Sequence, residues 1–337
     1  MVETAARAGE IRRSGLERRD EIAIAFFGTW MVTGLFLDGW AHNAEKPETF
    51  FSPWHGVLYS GFGAAVAYFG LQDLVLRRSR RLELGSLVTF GFVLFIVGAI
   101  GDFVWHEIFG IEVDLEALLS PTHLALMTGG LLMLSGPVRF AWERNERAPS
   151  IGAFFPTLVS VTLMVAVASF FTMYFSAFRF GGLHSATGNA DLAEFQQLHA
   201  IGAVLVTNAL LVGTALALRR RWRTPVGSFT FLFGVVAFAT AGLDAFKSPK
   251  VIVAAFLAGI LTDILSARLD PSTNRLRAAR VFGALTPFFL WGTWLIAERY
   301  SDGISWTAEL WAGVVILAVV SGLALSSLAF PPKSRAA

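Results

Sequence analysis

The sequence predicts an all-α protein, a polytopic transmembrane helical bundle of about ten spans arranged as five hairpins. Three observations point there. Of 337 residues, 55% are hydrophobic and only 15% charged, with a mean hydropathy of +0.60, outside the usual range of soluble domains. Apolar runs of about 20 residues, the length a helix needs to cross the hydrocarbon core, recur along the whole chain. Lys and Arg gather in every second connector between those runs.

The first run covers roughly 22–41 and follows a basic, polar N-terminus, 1–20. No small-residue cleavage site follows it, so it is expected to remain as a span rather than leave as a signal peptide. The second run (roughly 54–76) opens on Ser52-Pro53, and the fourth (roughly 121–141) on Ser120-Pro121. Serine is a favoured N-cap, and proline is tolerated at the first helical position because its missing N–H is an orphan there anyway. The third run lies between them at roughly 85–106. The fifth (roughly 152–178) and sixth (roughly 197–218) flank the connector that contains "GGLHSATGNADLAEFQQLH". Only Lys247-Ser248-Pro249 parts the seventh (roughly 226–246) from the eighth (roughly 249–266), which makes this hairpin the least distinct. The ninth and tenth lie at roughly 281–297 and 305–328, followed by a tail, 329–337. Residues 21–142 thus form hairpins one and two, 152–328 the remaining spans, and no separate soluble domain is visible.

Basic residues in short loops are retained in the cytoplasm. One set of alternating connectors, together with both ends, holds 22 of the 27 Lys and Arg residues; the other set holds only Lys46, Arg179, Lys247, Lys250 and Arg299. Both termini are therefore expected to be cytoplasmic, in a bacterial-type plasma (inner) membrane. Trp40, Trp54, Trp105, Trp291, Trp294, Trp306 and Trp311 fall near the other side, as an interfacial belt would. The net charge of +2 gives no reason to expect a nucleic-acid partner. The basic residues serve topology and contact with membrane lipid. With no cysteine, thiolate ligands and disulfides are excluded.

A repeated motif carries the chemistry. "DGWAHNAEKPETFFSPWH" runs from Asp38 to His55, and "DFVWHEIFGIEVDLEALLSPTH" from Asp102 to His123. In each, an aspartate and a histidine stand four residues apart at the end of an ascending helix, on one helical face. A second histidine follows the Ser-Pro and so lies in the first turn of the descending helix. The fourth hairpin keeps only "DAFKSPK", Asp244 to Lys250, without histidine. All six histidines fall on the predicted non-cytoplasmic side. His184 and His199 lack an aspartate four residues earlier and read as loop residues outside the main site. An ionisable residue inside an apolar run is costly unless paired or ligated. Two imidazoles and a carboxylate suit a divalent transition metal that keeps positions open for substrate, with copper, iron and zinc all accepting imidazole. Asp38, His42, His55, Asp102, His106 and His123 are the expected ligands. Glu107 and Glu112 are expected to orient them from outside, while Glu45, Glu48, Asp114 and Glu116 read as an acidic rim. Asp73 and Asp263 sit near cytoplasmic helix ends, where solvation is the expected explanation. Of the aromatic residues around the motifs (Phe36, Trp40, Phe50, Phe51, Phe103, Trp105 and Phe109), most are expected to face lipid.

The first motif, with His42 four residues after Asp38 and His55 thirteen beyond that behind "FSPW", resembles the copper-ligand stretch in the C subunit of particulate methane monooxygenase and ammonia monooxygenase. The second motif fits the same pattern with four extra loop residues. The resemblance covers residues 35–135. It implies copper as cofactor, dioxygen activation, hydroxylation of a small apolar substrate arriving through lipid, and partner subunits. The chain departs from that family in having more spans and no soluble copper domain. Two other readings stand beside this oxidoreductase: a metal or proton-coupled transporter, favoured by the repeats, and a metal-dependent membrane hydrolase with Glu107 or Glu112 as base.

Overall fold

The computed structural model describes residues 18–47, 49–75, 85–110, 115–144, 146–179, 190–300 and 303–332. Among them stand ten long helices: α1 Arg18–Asn43, α2 Pro53–Val75, α3 Gly85–Phe109, α4 Pro121–Glu143, α5 Ile151–Phe171, α6 Ala190–Arg221, α7 Ser228–Gly242, α8 Pro249–Leu269, α9 Leu276–Arg299 and α10 Ala308–Ala329. A single turn, Glu116–Leu119, precedes α4, and a 3₁₀ turn, Met173–Phe175, follows α5. No strand occurs among the described residues; the sole β feature is an isolated bridge between Ser272 and Arg275.

Eight of the ten helices are long and apolar enough to cross a bilayer, and the protein is a multi-pass membrane protein of all-helical architecture. The other two differ for separate reasons. Helix α2 has 23 residues, but His55, Tyr59, Ser60 and four glycines dilute its apolar character. Helix α7 has 15 residues, about 22 Å at 1.5 Å per residue against a hydrocarbon core of about 30 Å. It stops short of the expected end near 246 because Ala245 and Phe246 take left-handed backbone conformations (φ 54° and 57°). The fifth span is also shorter than expected: Thr172 turns its hydroxyl back onto the Ala168 carbonyl at 2.8 Å, and the chain tightens into the 3₁₀ turn.

Asp263 requires a correction. It is buried in α8 rather than solvated at a helix end. Its carboxylate accepts the Phe229 N–H (3.2 Å), the Thr230 N–H (2.9 Å) and the Thr230 hydroxyl (2.7 Å). Helix α7 has no cap of its own, because Gly227 precedes it, and Asp263 supplies the missing acceptor from a neighbouring helix. The Asp73 side chain and the connector at 76–84 lie outside the described residues, as do 1–17 and 333–337.

The chain divides into two compact units. The first comprises residues up to 38, 46–145 and a middle stretch of α5, 159–164. Here α3 packs along α4. Helices α1 and α2 cross at Gly34, where an added Cβ would lie 2.3 Å from the Leu58 backbone nitrogen. At one end of this unit, buried Glu21 near the start of α1 pairs with Arg144, just past α4. The second unit holds 39–45, 146–158 and the described residues from 165 on. In it α8 packs between α7 and α9, α9 packs on α10, and α10 returns to α6.

Candidate metal centre

The site is built at the helix ends of the first unit opposite the Glu21–Arg144 pair. Ser120 caps α4 as expected: its Oγ accepts the His123 N–H at 3.3 Å and Pro121 takes the first helical position. The local fold therefore plants His123 in the first turn. The same Ser120 Oγ lies 2.8 Å from His123 Nδ1, so the capping residue also orients the ring. In α2 the Ser52 carbonyl accepts the Gly56 N–H and opens the helix, but the Ser52 hydroxyl turns to the loop and accepts from the Thr49 N–H at 2.9 Å.

Asp102 is the centre of the arrangement and is 1% exposed. Its Oδ1 lies 3.1 Å from His123 Nε2 and 3.5 Å from His106 Nε2. Thr122 donates its hydroxyl to the same oxygen at 3.3 Å, and Tyr59 donates to Oδ2 at 3.0 Å. Asp102, His106 and His123 each offer a ligand atom within 4.8 Å of the other two, and they form the only such group of three or more among the described residues. Two donors bound to one ion at about 2.1 Å, roughly at right angles, stand about 3 Å apart, so these separations fit a shared cation.

The protonation pattern is more telling than the distances. His106 Nδ1 lies 3.2 Å from the Gly110 carbonyl. A carbonyl only accepts, so Nδ1 carries the proton. In a neutral ring Nε2 is then a bare lone pair, and this atom is buried without a hydrogen bond, facing a carboxylate oxygen. Two acceptors aimed at one another require a cation between them or a second proton on the ring. Imidazole held at Nδ1 by a carbonyl, with Nε2 turned inward, is also how metal-binding histidines are oriented.

His55 repeats the pattern. Its Nδ1 reaches the Thr49 and Phe50 carbonyls at 3.3 and 3.2 Å, and its Nε2 lies 3.0 Å from Asp38 Oδ1. The His55 and His106 ring centroids are 6.5 Å apart, and those of His106 and His123 5.9 Å. Phe50 lies against His55, His106, Tyr59 and Phe103 and closes one side of the cluster. Phe51 and Phe109, by contrast, are largely exposed.

Of the six residues singled out by the motif, Asp102, His106 and His123 form a three-donor group and Asp38 pairs with His55. His42 stands outside the three-donor group. The last turn of α1 belongs to the second unit, where Gly39 packs on Phe170 and Leu243, and Asn43 donates to the Leu243 carbonyl at 3.0 Å. Glu107 is exposed and outside the group, so the ring of His106 is oriented by a backbone carbonyl instead. Glu48, Glu112, Asp114 and His184 lie outside the described residues. His199 packs against Phe175 and Phe195 in the second unit. Sequence reasoning missed Tyr59 and Thr122. The available signal was spacing, since Tyr59 follows His55 by four residues and Thr122 sits inside the Ser-Pro-Thr-His turn.

No protein-family model, no curated protein and no solved structure matches the chain. Fold and site together define a multi-pass helical membrane protein with an Asp-His-His group, its aspartate buried, whose ligand atoms lie close enough together that they could hold a metal ion.

Proposed function

We propose that Asp102, His106 and His123 hold a divalent transition metal, copper or iron before zinc, and that the protein is a membrane oxidoreductase or a subunit of one. The observation that carries this reading is the inward lone pair of His106 Nε2, buried and aimed at Asp102 Oδ1 while Nδ1 is committed to a carbonyl. A redox-active ion with open positions supplies one-electron chemistry and the capacity to activate dioxygen. The chain's own residues do the rest. Thr122 and Tyr59 fix the carboxylate, Ser120 and Gly110 fix the rings, and Phe50 keeps water from one side. By the distribution of Lys and Arg, both termini face the cytoplasm of a bacterial-type plasma membrane and the site opens on the other side. The motif's likeness to the C subunit of copper membrane monooxygenases supports a small apolar substrate and partner subunits.

The test is metal content. Protein purified with copper and iron available is measured by mass spectrometry beside His106→Ala and His123→Ala. Loss of metal in both variants, together with loss of reductant-dependent oxygen uptake, is expected. Equal metal in all three would overturn the proposal. A proton-coupled transporter is the second reading, favoured by the Tyr59, Thr122 and His123 contacts that converge on one carboxylate. Metal-free protein that drives Asp102-dependent uptake into vesicles would select it.

A further inference from the structure

We infer that Tyr59 is a positioning residue that sets how Asp102 meets the metal, so that hairpin one controls the coordination made by hairpin two; this rests on the metal reading above. The two oxygens of Asp102 have divided tasks. Oδ1 faces both imidazole Nε2 atoms, while Oδ2 accepts the Tyr59 hydroxyl at 3.0 Å. A carboxylate free at both oxygens can bind an ion through one or both. With Oδ2 taken by a phenol, only Oδ1 is presented, and the group becomes a one-oxygen, two-nitrogen set with remaining positions open.

The phenol is held for that task. Tyr59 shares the His55 face of α2, and its ring lies between Phe50 (5.5 Å between centroids) and Phe95 (6.5 Å). Phe95 in turn stacks on Phe62 at 4.3 Å. The ring is thus fixed by packing independent of its hydroxyl, and the O–H has little freedom except toward Asp102. Tyr59→Phe therefore removes the hydrogen bond and keeps the aromatic wall.

The experiment compares copper(II) binding and its paramagnetic resonance spectrum in the parent protein, Tyr59→Phe and Asp102→Asn. Removing an outer partner of a metal ligand weakens binding by about 10–100-fold. Tyr59→Phe is expected to bind copper with affinity lowered to that extent, because the carboxylate is no longer held in place, and with altered spectral parameters, because the released Oδ2 is free to approach the ion. Asp102→Asn is expected to lose the site. A Tyr59→Phe protein with the parent's affinity and spectrum overturns the inference and leaves the metal reading intact, whereas a parent that binds no copper sinks both. Should Tyr59→Phe fail to fold, the natural chain is labelled with 3-fluorotyrosine and titrated with zinc(II). Of its four tyrosines, Tyr59 alone should shift its fluorine resonance, as identified by the signal that survives in Tyr68→Phe, Tyr174→Phe and Tyr300→Phe. No shift on zinc addition would count against the role as firmly as an unchanged spectrum.

Discussion

Hairpins two and four place the same device in different company. Each has an aspartate before the turn and a Ser-Pro after it: Asp102 with Ser120-Pro121, and Asp244 with Ser248-Pro249. Three residues past Ser120 stands His123; three past Ser248 stands Val251, buried. Ser120 caps its helix, while Ser248 makes no side-chain cap. Asp102 is surrounded by two imidazoles and a phenol. Both oxygens of Asp244 instead receive the Arg179 Nε–H, at 3.2 and 3.0 Å, with the guanidinium 5.8 Å from the Tyr174 ring. A guanidinium does not deprotonate in proteins and cannot leave. The fourth hairpin therefore meets a counter-charge fixed in the chain, whereas on the metal reading proposed above the second leaves that place to an exchangeable cation.

The largest expected effect separates these two aspartates. Asp102→Asn should reduce bound metal from about one equivalent per chain to background, read by mass spectrometry, while Asp244→Asn should leave metal content unchanged. Asp244→Asn should show its effect in thermal stability instead, because it removes the carboxylate charge that receives the Arg179 Nε–H, seen as an earlier melt in detergent. If Asp244→Asn lost metal as well, the contrast between the hairpins would collapse.

A middle-sized effect probes how hairpin one is set against the cluster. Gly34→Ala places a methyl group 2.4 Å from the Leu58 Cα, a backbone atom that cannot swing aside. Overpacking of this kind costs about 1–3 kcal/mol, and Gly34 lies one turn before Asp38. The variant should melt earlier and bind metal more weakly through displaced α2 residues; unchanged metal affinity would show that Tyr59 and His55 contribute little.

The smallest effect lies in unit two and sharpens the comparison from the side of fixed charge. Asp270 is held below the ordinary carboxylate range, chiefly by its hydrogen bonds from Arg223 at 2.6 and 3.1 Å, with Arg219 at 2.8 Å adding to this and burial opposing it. A depressed folded value means its stabilisation is complete above the ordinary value and fades as pH falls through the lower, folded one. Melting of the parent should exceed that of Asp270→Asn by a constant, small margin near neutrality, and the margin should shrink below about pH 4. A margin that widened in acid would reverse the assigned sign.

Much of this was legible beforehand. Among the described residues the ten long helices coincide with the apolar runs, and eight of them are long and apolar enough to cross a membrane, because hydropathy reads that property directly. Their ends were less readable: past Gly242, Leu243, Ala245 and Phe246 are as apolar as the helix around the single charge of Asp244, and the left-handed backbone at Ala245 and Phe246 accompanies the end of α7. At the site, Asp102 with His106 followed from a four-residue spacing and His123 from the Ser-Pro cap. Spacing gives a shared face but not the partner on the next helix. Asp38 reaches His55 on the next helix, a contact that the four-residue spacing to His42 does not announce, and among the described residues the three-donor group forms around Asp102. Tyr59 was hidden for the same reason, since its hydroxyl meets a residue 43 positions away.

The carboxylate of Asp263 has a consequence for how α7 lives in lipid. A helix whose first N–H groups need water must begin at the membrane surface, and one of 15 residues would then have to thin the bilayer or tilt other spans to reach the far side. Because a neighbouring helix brings the acceptor to those N–H groups, α7 is free to start below the surface, and the bilayer beside it can keep its ordinary thickness.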